Sequence, residues 1–271
     1  MIYSFIGWAY ESTLCSVSAR KLINRGFLNG PYCPIYGTGA LLIELTLGRI
    51  ESPVLLFFAG ALLTCSLEYL TSWAMEKLFH ARWWDYSKRR FNIKGRVCLI
   101  GAVVFGTFSV LLVKLLHPFV AGLTGRIPPA AMHWLCGGLL VVFLTDLTVT
   151  VCGLSGTHKA VAECSEFLRE RRAELEEKLR SAPGYEELQR RREAFQQLGK
   201  ELRGRLNAQQ RRTIRNFPKL TLSRNNEALN ELRAALEKAR DSRREARKQG
   251  GARQKADVQS PRTEDAGRQQ R

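Results

Sequence analysis

Apolar and polar positions divide this chain in two. Up to residue 154 it runs in long apolar blocks separated by short polar ones; beyond that, charged residues recur every few positions. A bilayer crossing takes about 20 mostly apolar residues. Five stretches approach that length, at roughly 2–20, 36–50, 53–75, 96–117 and 131–153. The last three are strong, reading VLLFFAGALLTCSLEYL, VCLIGAVVFGTFSVLLVKLL and WLCGGLLVVFLTDLTVTVC. The second is short, and the first contains Glu11 and several serines. A signal peptide needs a basic region before its apolar run. Nothing basic precedes Ile2, so a retained span is expected, although a start codon set too far downstream would have shortened its outer end. The pattern predicts an all-α fold: a polytopic membrane helix bundle of about five transmembrane helices.

The second half predicts a different kind of helix. Residues 158–181 and 185–206 read as helices separated by Ala182-Pro183-Gly184, with a third at roughly 224–247 after a break at Phe217-Pro218. Val161, Leu168 and Leu175 fall seven apart, as do Leu188, Phe195 and Leu202, but the partner heptad positions are poorly apolar. Glu174–Lys178, Glu176–Arg180, Glu186–Arg190, Glu187–Arg191 and Glu201–Arg205 stand four apart in the favourable order. From Gln249 the sequence is polar and reads as disordered. The expected organisation is a transmembrane bundle over 1–154, a charged helical region over 155–248 and a disordered basic tail over 249–271.

Charge adds an orientation. The whole chain carries +17, and residues 155–271 hold 29 Lys/Arg against 18 Asp/Glu. In the apolar half the positive charges gather in alternate connections. Arg20, Lys21 and Arg25 lie in the first, while Lys77, Arg82, Lys88, Arg89, Arg90, Lys94 and Arg96 lie in the third. The second and fourth carry only Arg49 and Arg126. Positive residues favour the cytoplasmic side. The N-terminus is therefore expected outside, with loops 20–36 and 76–96 and the basic helical tail in the cytoplasm. The tail suits an anionic membrane surface or a docking partner. Its interleaved acids and few aromatics argue against nucleic acid. The cysteines (Cys15, Cys33, Cys65, Cys98, Cys136, Cys152 and Cys164) form no C-x-x-C pair, and no metal or cofactor is expected.

Four carboxylates, Glu11, Glu44, Glu68 and Asp146, fall inside the apolar stretches. A charge at the centre of a membrane helix costs on the order of 3 kcal/mol, so such residues find partners or line wet cavities. Each lies on a stripe of small or hydroxylated residues at helical spacing, such as Gly7, Glu11, Cys15 and Ser18, or Gly37, Ala40, Glu44 and Gly48. Two readings stay open: polar contacts that hold helices together, or a polar cavity open to the cytoplasm.

The first charged loop, NRGFLNGPYCPIYG, is stiff and greasy rather than floppy. Pro31 and Pro34 fix the backbone, and Gly26, Gly30 and Gly37 permit turns. It is expected to fold against the membrane. Arg25 would pair with an acid such as Glu11 or Glu68, or with lipid phosphate. In the second charged loop, Trp84 and Tyr86 suit the headgroup zone. Asp85 either caps a short helix or pairs with Arg89 or Arg96.

The stretches GWAYE (7–11), NRGFLNGPYCPIYG (24–37), LEYLTSWAMEKLF (67–79) and WWDYSKRRFNIKGRVCL (83–99) together resemble a family of bacterial integral membrane proteins labelled "putative ABC-transporter type IV", or ABC transporter permease-like. RRTIRNFPKLTLSRNNEALNEL (211–232) resembles a segment that follows the last helix in members from Gram-positive bacteria. The residues carrying the loop motifs are Asn24, Arg25, Gly26, Gly30, Pro31, Pro34, Tyr36, Gly37, Trp84, Asp85, Tyr86, Asn92, Gly95 and Arg96. The resemblance implies a membrane subunit of a transporter in the bacterial plasma membrane. It would use a separate ATP-binding subunit, since no G-x-x-x-x-G-K-[ST] loop occurs here. Two alternatives remain. One is an enzyme acting on a lipid or isoprenoid headgroup, with Glu11, Glu68 and Asp85 as acid–base groups and Arg25 and Arg96 holding phosphate. The other is a scaffold or sensor. No nucleophile motif is present, and neither substrate nor oligomeric state is legible.

Overall fold

The computed structural model describes residues 1–20, 23–180, 185–223 and 225–259. The fold is all-α apart from four two-residue strands. The chain forms two compact units. One comprises Met1–Lys159 with Asn207–Asn226, and the other Ala160–Leu206 with Glu227–Arg271.

The first unit begins with α1 (Ile2–Ala19) and α2 (Pro34–Leu47), then α3 (Pro53–Phe79). Proline opens both α2 and α3, where its missing N–H costs nothing. Ser52 caps α3 by accepting from the Leu55 amide. His80 ends α3 in the left-handed conformation. Strand β1 (Ala81–Arg82) follows, then β2 (Asn92–Ile93) and β3 (Val97–Cys98), which form a hairpin. Its turn residues Lys94 and Gly95 have φ of 51° and 69°. Two positive values in succession suit the turn that matches strand twist, and glycine meets the second without strain. α4 (Leu99–Leu111) passes through a π-helical turn, Leu112–Leu116, into α5 (His117–Thr124). Pro118 accounts for the irregularity, because it lacks an N–H and its ring crowds the preceding turn. α6 (Pro129–Leu154) completes the apolar helices.

Among the described residues, three helical runs are long and apolar enough to cross a membrane: Pro53–Phe79, Leu99–Thr124 and Pro129–Arg171. The expected count of about five exceeds this because α2 is apolar but spans 14 residues, and α1 carries Glu11 among several hydroxyls. Small residues set the packing. A Cβ on Gly7 would overlap the Tyr36 ring, and one on Gly60 would overlap Ser109, so α1 meets α2, and α3 meets α4, at close range. Ala40, Ile43, Leu56, Leu112 and Val113 form a buried apolar cluster.

After α6 the chain enters α7 (Thr157–Arg180) and α8 (Tyr185–Arg205), then returns to the first unit as α9 (Ala208–Asn216) and β4 (Thr221–Leu222). α9 starts on a capping box in which Asn207 and Gln210 satisfy each other's backbone amides. β4 pairs antiparallel with β1. α10 (Asn226–Gln259) closes the described chain and takes in the start of the 249–271 stretch.

Within the second unit, Val161, Cys164, Leu198, Leu202, Leu229 and Leu232 are buried. Arg205 lies 4.1 Å over the Phe167 ring, and Glu201 is 3.9 Å from Arg171. The Ala182-Pro183-Gly184 break and residues 260–271 lie outside the described residues, as do side chains of the expected pairs Glu174–Lys178, Glu176–Arg180, Glu186–Arg190 and Glu187–Arg191.

Candidate functional site

The stiff loop between α1 and α2 is held from two sides. On one side stands Asp146 of α6. Its Oδ1 accepts from the Asn29 amide at 3.0 Å and from Asn29 Nδ2 at 2.9 Å. Its Oδ2 accepts from the Gly30 amide and from the Tyr32 hydroxyl, both at 2.7 Å. Thr150, one turn on, accepts from Asn29 Nδ2 and donates to Asp146. A carboxylate inside an apolar helix thus has its lone pairs filled by loop donors, which offsets its desolvation. Pro31 lies exposed within this turn, and Pro34 starts α2.

On the other side stands α9. Arg212 donates from Nη2 to the carbonyls of Gly26 and Leu28, and from Nη1 to that of Phe27. Asn216 donates to the Asn24 carbonyl at 2.9 Å. A guanidinium is the side chain whose fixed fork can hold three successive carbonyls. Burial presses the Arg212 pKa down, while nearby Asp146 opposes the shift. Asn24 closes the near end of the loop by accepting from Trp8 Nε1 and the Gly26 amide.

Arg25 faces three groups. Its Nη1 donates to the Asn216 carbonyl at 2.9 Å, its guanidinium lies 4.7 Å over the Phe217 ring, and its Nε is 3.9 Å from Glu11. Of the two acids expected for it, the structure places Glu11 beside it, at the edge of ion-pair range. Cys33 sits close by. Burial pushes its thiol up to about 12, Glu11 adds to the shift, and Arg25 and Arg212 oppose it.

The second loop reaches the membrane acids through Tyr86, which donates to Glu68 at 3.2 Å. Burial raises the Tyr86 pKa, and Glu68 and then Glu11 add to it, so the phenol keeps its proton and acts as a donor. Glu68 is 6 % exposed, and its Oε2 has no hydrogen-bond partner among the described residues. Glu11 accepts from the Tyr36 hydroxyl at 2.9 Å. Glu11, Glu68, Tyr36 and Tyr86 therefore share one region under both loops. Gly37 packs closely on Ser4 nearby.

Glu44 is partnered elsewhere. In the last turn of α2 it lies 3.5 Å from His117 Nε2, whose Nδ1 meets the Tyr3 hydroxyl at 2.7 Å. The four carboxylates of the apolar helices thus have separate sets of partners.

Asp85 neither caps a helix nor meets Arg89 or Arg96 through a hydrogen bond. It accepts from the Ser87 amide at 2.9 Å and from the Ser87 hydroxyl. These bonds hold its carboxyl below the usual range, burial works against them, and Arg82 and Lys88 add to them. Asn92 fastens the same loop by donating to the Arg89 and Ser87 carbonyls and accepting from the Gly95 amide. Trp84 Nε1 donates to the Arg96 carbonyl. Arg96 itself is 7 % exposed and bonds Glu76 and Ser72 of α3.

The sequence reading picked out residues 211–232 by resemblance but did not place Asn207–Ser223 in the site. They fasten both loops: Arg212 and Asn216 hold the first, and β4 with Ser223 holds the second. Ser223 donates its amide to the His80 carbonyl and its hydroxyl to Glu76. Two signals in the sequence point there: the Asn207…Gln210 capping pair and the apolar residues Phe217, Leu220 and Leu222 interleaved with polar ones.

A family model described as "Putative ABC-transporter type IV" matches residues 1–151, which takes in both loops, the four membrane acids and all the apolar helices except the last residues of α6. No curated protein and no solved structure matches the chain.

Proposed function

The chain belongs to the family described as "Putative ABC-transporter type IV", and from that premise we propose that it is the membrane subunit of a transport system powered by a separate ATP-binding chain. In this reading α1 and α2 join the three long apolar runs to give about five spans in a bacterial plasma membrane. The N-terminus lies outside, and both loops, α9 and the basic tail lie in the cytoplasm.

One observation carries the proposal beyond the family. Each motif-bearing loop ends on a carboxylate of a long apolar helix: the first on Asp146, and the second, through Tyr86, on Glu68. A partner that moves the loops would move groups inside the helices. Glu68, with one buried oxygen left over, is the group best placed to exchange a proton or a substrate contact during such a movement. The headgroup-enzyme reading is weaker, because Asp85, one of its three acid–base groups, is engaged by Ser87 in a turn.

The test is mild-detergent purification of tagged protein from native membranes, with mass spectrometry of what accompanies it. A stoichiometric ATP-binding protein is expected. Glu68→Gln is expected to abolish transport-dependent growth while leaving expression and thermal stability unchanged. Solitary protein, or a fully active Glu68→Gln, would overturn the reading.

A further inference from the structure

A cavity of about 360 Å³ opens where the end of α3 meets the second loop. Trp73, Glu76, Lys77, His80, Arg96 and Ser223 line it. Arg96 is buried, and two of its three nitrogens are engaged: Nη1 by Ser72 at 3.2 Å and Nη2 by Glu76 at 2.5 Å. Its Nε is buried with no hydrogen-bond partner among the described residues. A buried N–H of a cation left without an acceptor is costly, and a ligand oxygen would remove that cost.

The local charge favours an anion. Glu76 is already satisfied, since Oε2 takes Arg82 and Arg96 while Oε1 takes Ser223. That leaves Lys77, exposed, and the charge of Arg96, whose guanidinium also lies 5.5 Å from the Tyr69 ring, as net positive lining. α3 is apolar before the cavity: Leu70 and the lining residue Trp73, on the turns before Lys77, are 58 % and 49 % exposed. An indole beside a lysine at the end of a long apolar helix marks the headgroup level of a bilayer. A ligand that touches both surfaces has an anionic head and an acyl body.

We propose that this cavity binds the phosphodiester of an anionic membrane lipid, with Arg96 and Lys77 on the phosphate and Trp73 against the glycerol region. The proposal needs α3 to sit in a membrane but rests on neither transport nor an ATP-binding partner. A bound lipid would tie α3 to the second loop and its β4 partner.

The experiment is native mass spectrometry of the full chain in detergent, titrated with phosphatidylglycerol or phosphatidylcholine. Phosphatidylglycerol is expected to remain bound in preference to phosphatidylcholine. Lys77→Gln, at an exposed position, is expected to weaken it about fivefold, the effect of one basic residue near an anionic surface. Lys94→Gln removes the same charge from the hairpin turn and should leave binding unchanged. Equal losses in both variants, or no preference between the lipids, would overturn the site. Displacement of the lipid by millimolar inorganic phosphate would overturn the lipid assignment in favour of a free phosphate ligand.

Discussion

Asp146 shows how one side chain can order a loop on another element. It accepts from two backbone amides, one amide side chain and one phenol. Asparagine keeps the shape but turns an NH2 toward those donors, so Asp146→Asn is expected to cost about 2–4 kcal/mol, read as a lower melting temperature. Cys33 reports the same event chemically. With its thiol pushed up to about 12, it should resist alkylation at pH 8; in Asp146→Asn it should become reactive. Peptide-level mass spectrometry reads each cysteine separately. Asp85 supplies a pH dependence. Its folded pKa lies below the unfolded value of about 3.9, so its contribution is complete above that value and disappears as pH falls through the folded one. Protection from hydrogen exchange over residues 83–96, corrected for the intrinsic rate, should therefore fall below about pH 4 in the wild type, and Ser87→Ala should flatten that response.

At the scale of elements, small residues decide which helices meet. Gly60→Ala would force a methyl into Ser109 and should destabilise the protein by about 1–3 kcal/mol, measured by thermal unfolding in detergent. The sequence marked Gly7 on a small-residue stripe but could not name the opposite helix, and it placed neither Gly60 nor Ser109 on any stripe. The apolar runs of α3, α4 and α6 were plain because periodicity and length need no tertiary information. Partner choice was not plain. Nothing local tells Arg25 to face Glu11 and Phe217, or Glu44 to face His117, because those pairings depend on helix rotation and on a segment far along the chain. Asp85 misled for a related reason: its neighbouring arginines suggested ion pairs, while a serine two residues away captured it by a shorter route.

At the scale of the molecule, the first unit is discontinuous, completed by Asn207–Asn226 after the chain has passed through the second. A chain ending at Lys159 would lack Arg212, Asn216 and β4. Both loops are then expected to lose protection from limited proteolysis, and Arg212→Ala alone should open the first loop while sparing the second. Full protection of both loops in the shortened chain would show that α9 and β4 are passengers. The arrangement also sets an order in time. Arg25 and Asn216 are 191 residues apart. At about 5–20 residues per second of synthesis, the first loop waits roughly 10–40 s for its clamp. Every apolar helix has left the ribosome by then. The face that carries the two loops is therefore sealed last, and a chain whose synthesis stops early never reaches the closed form.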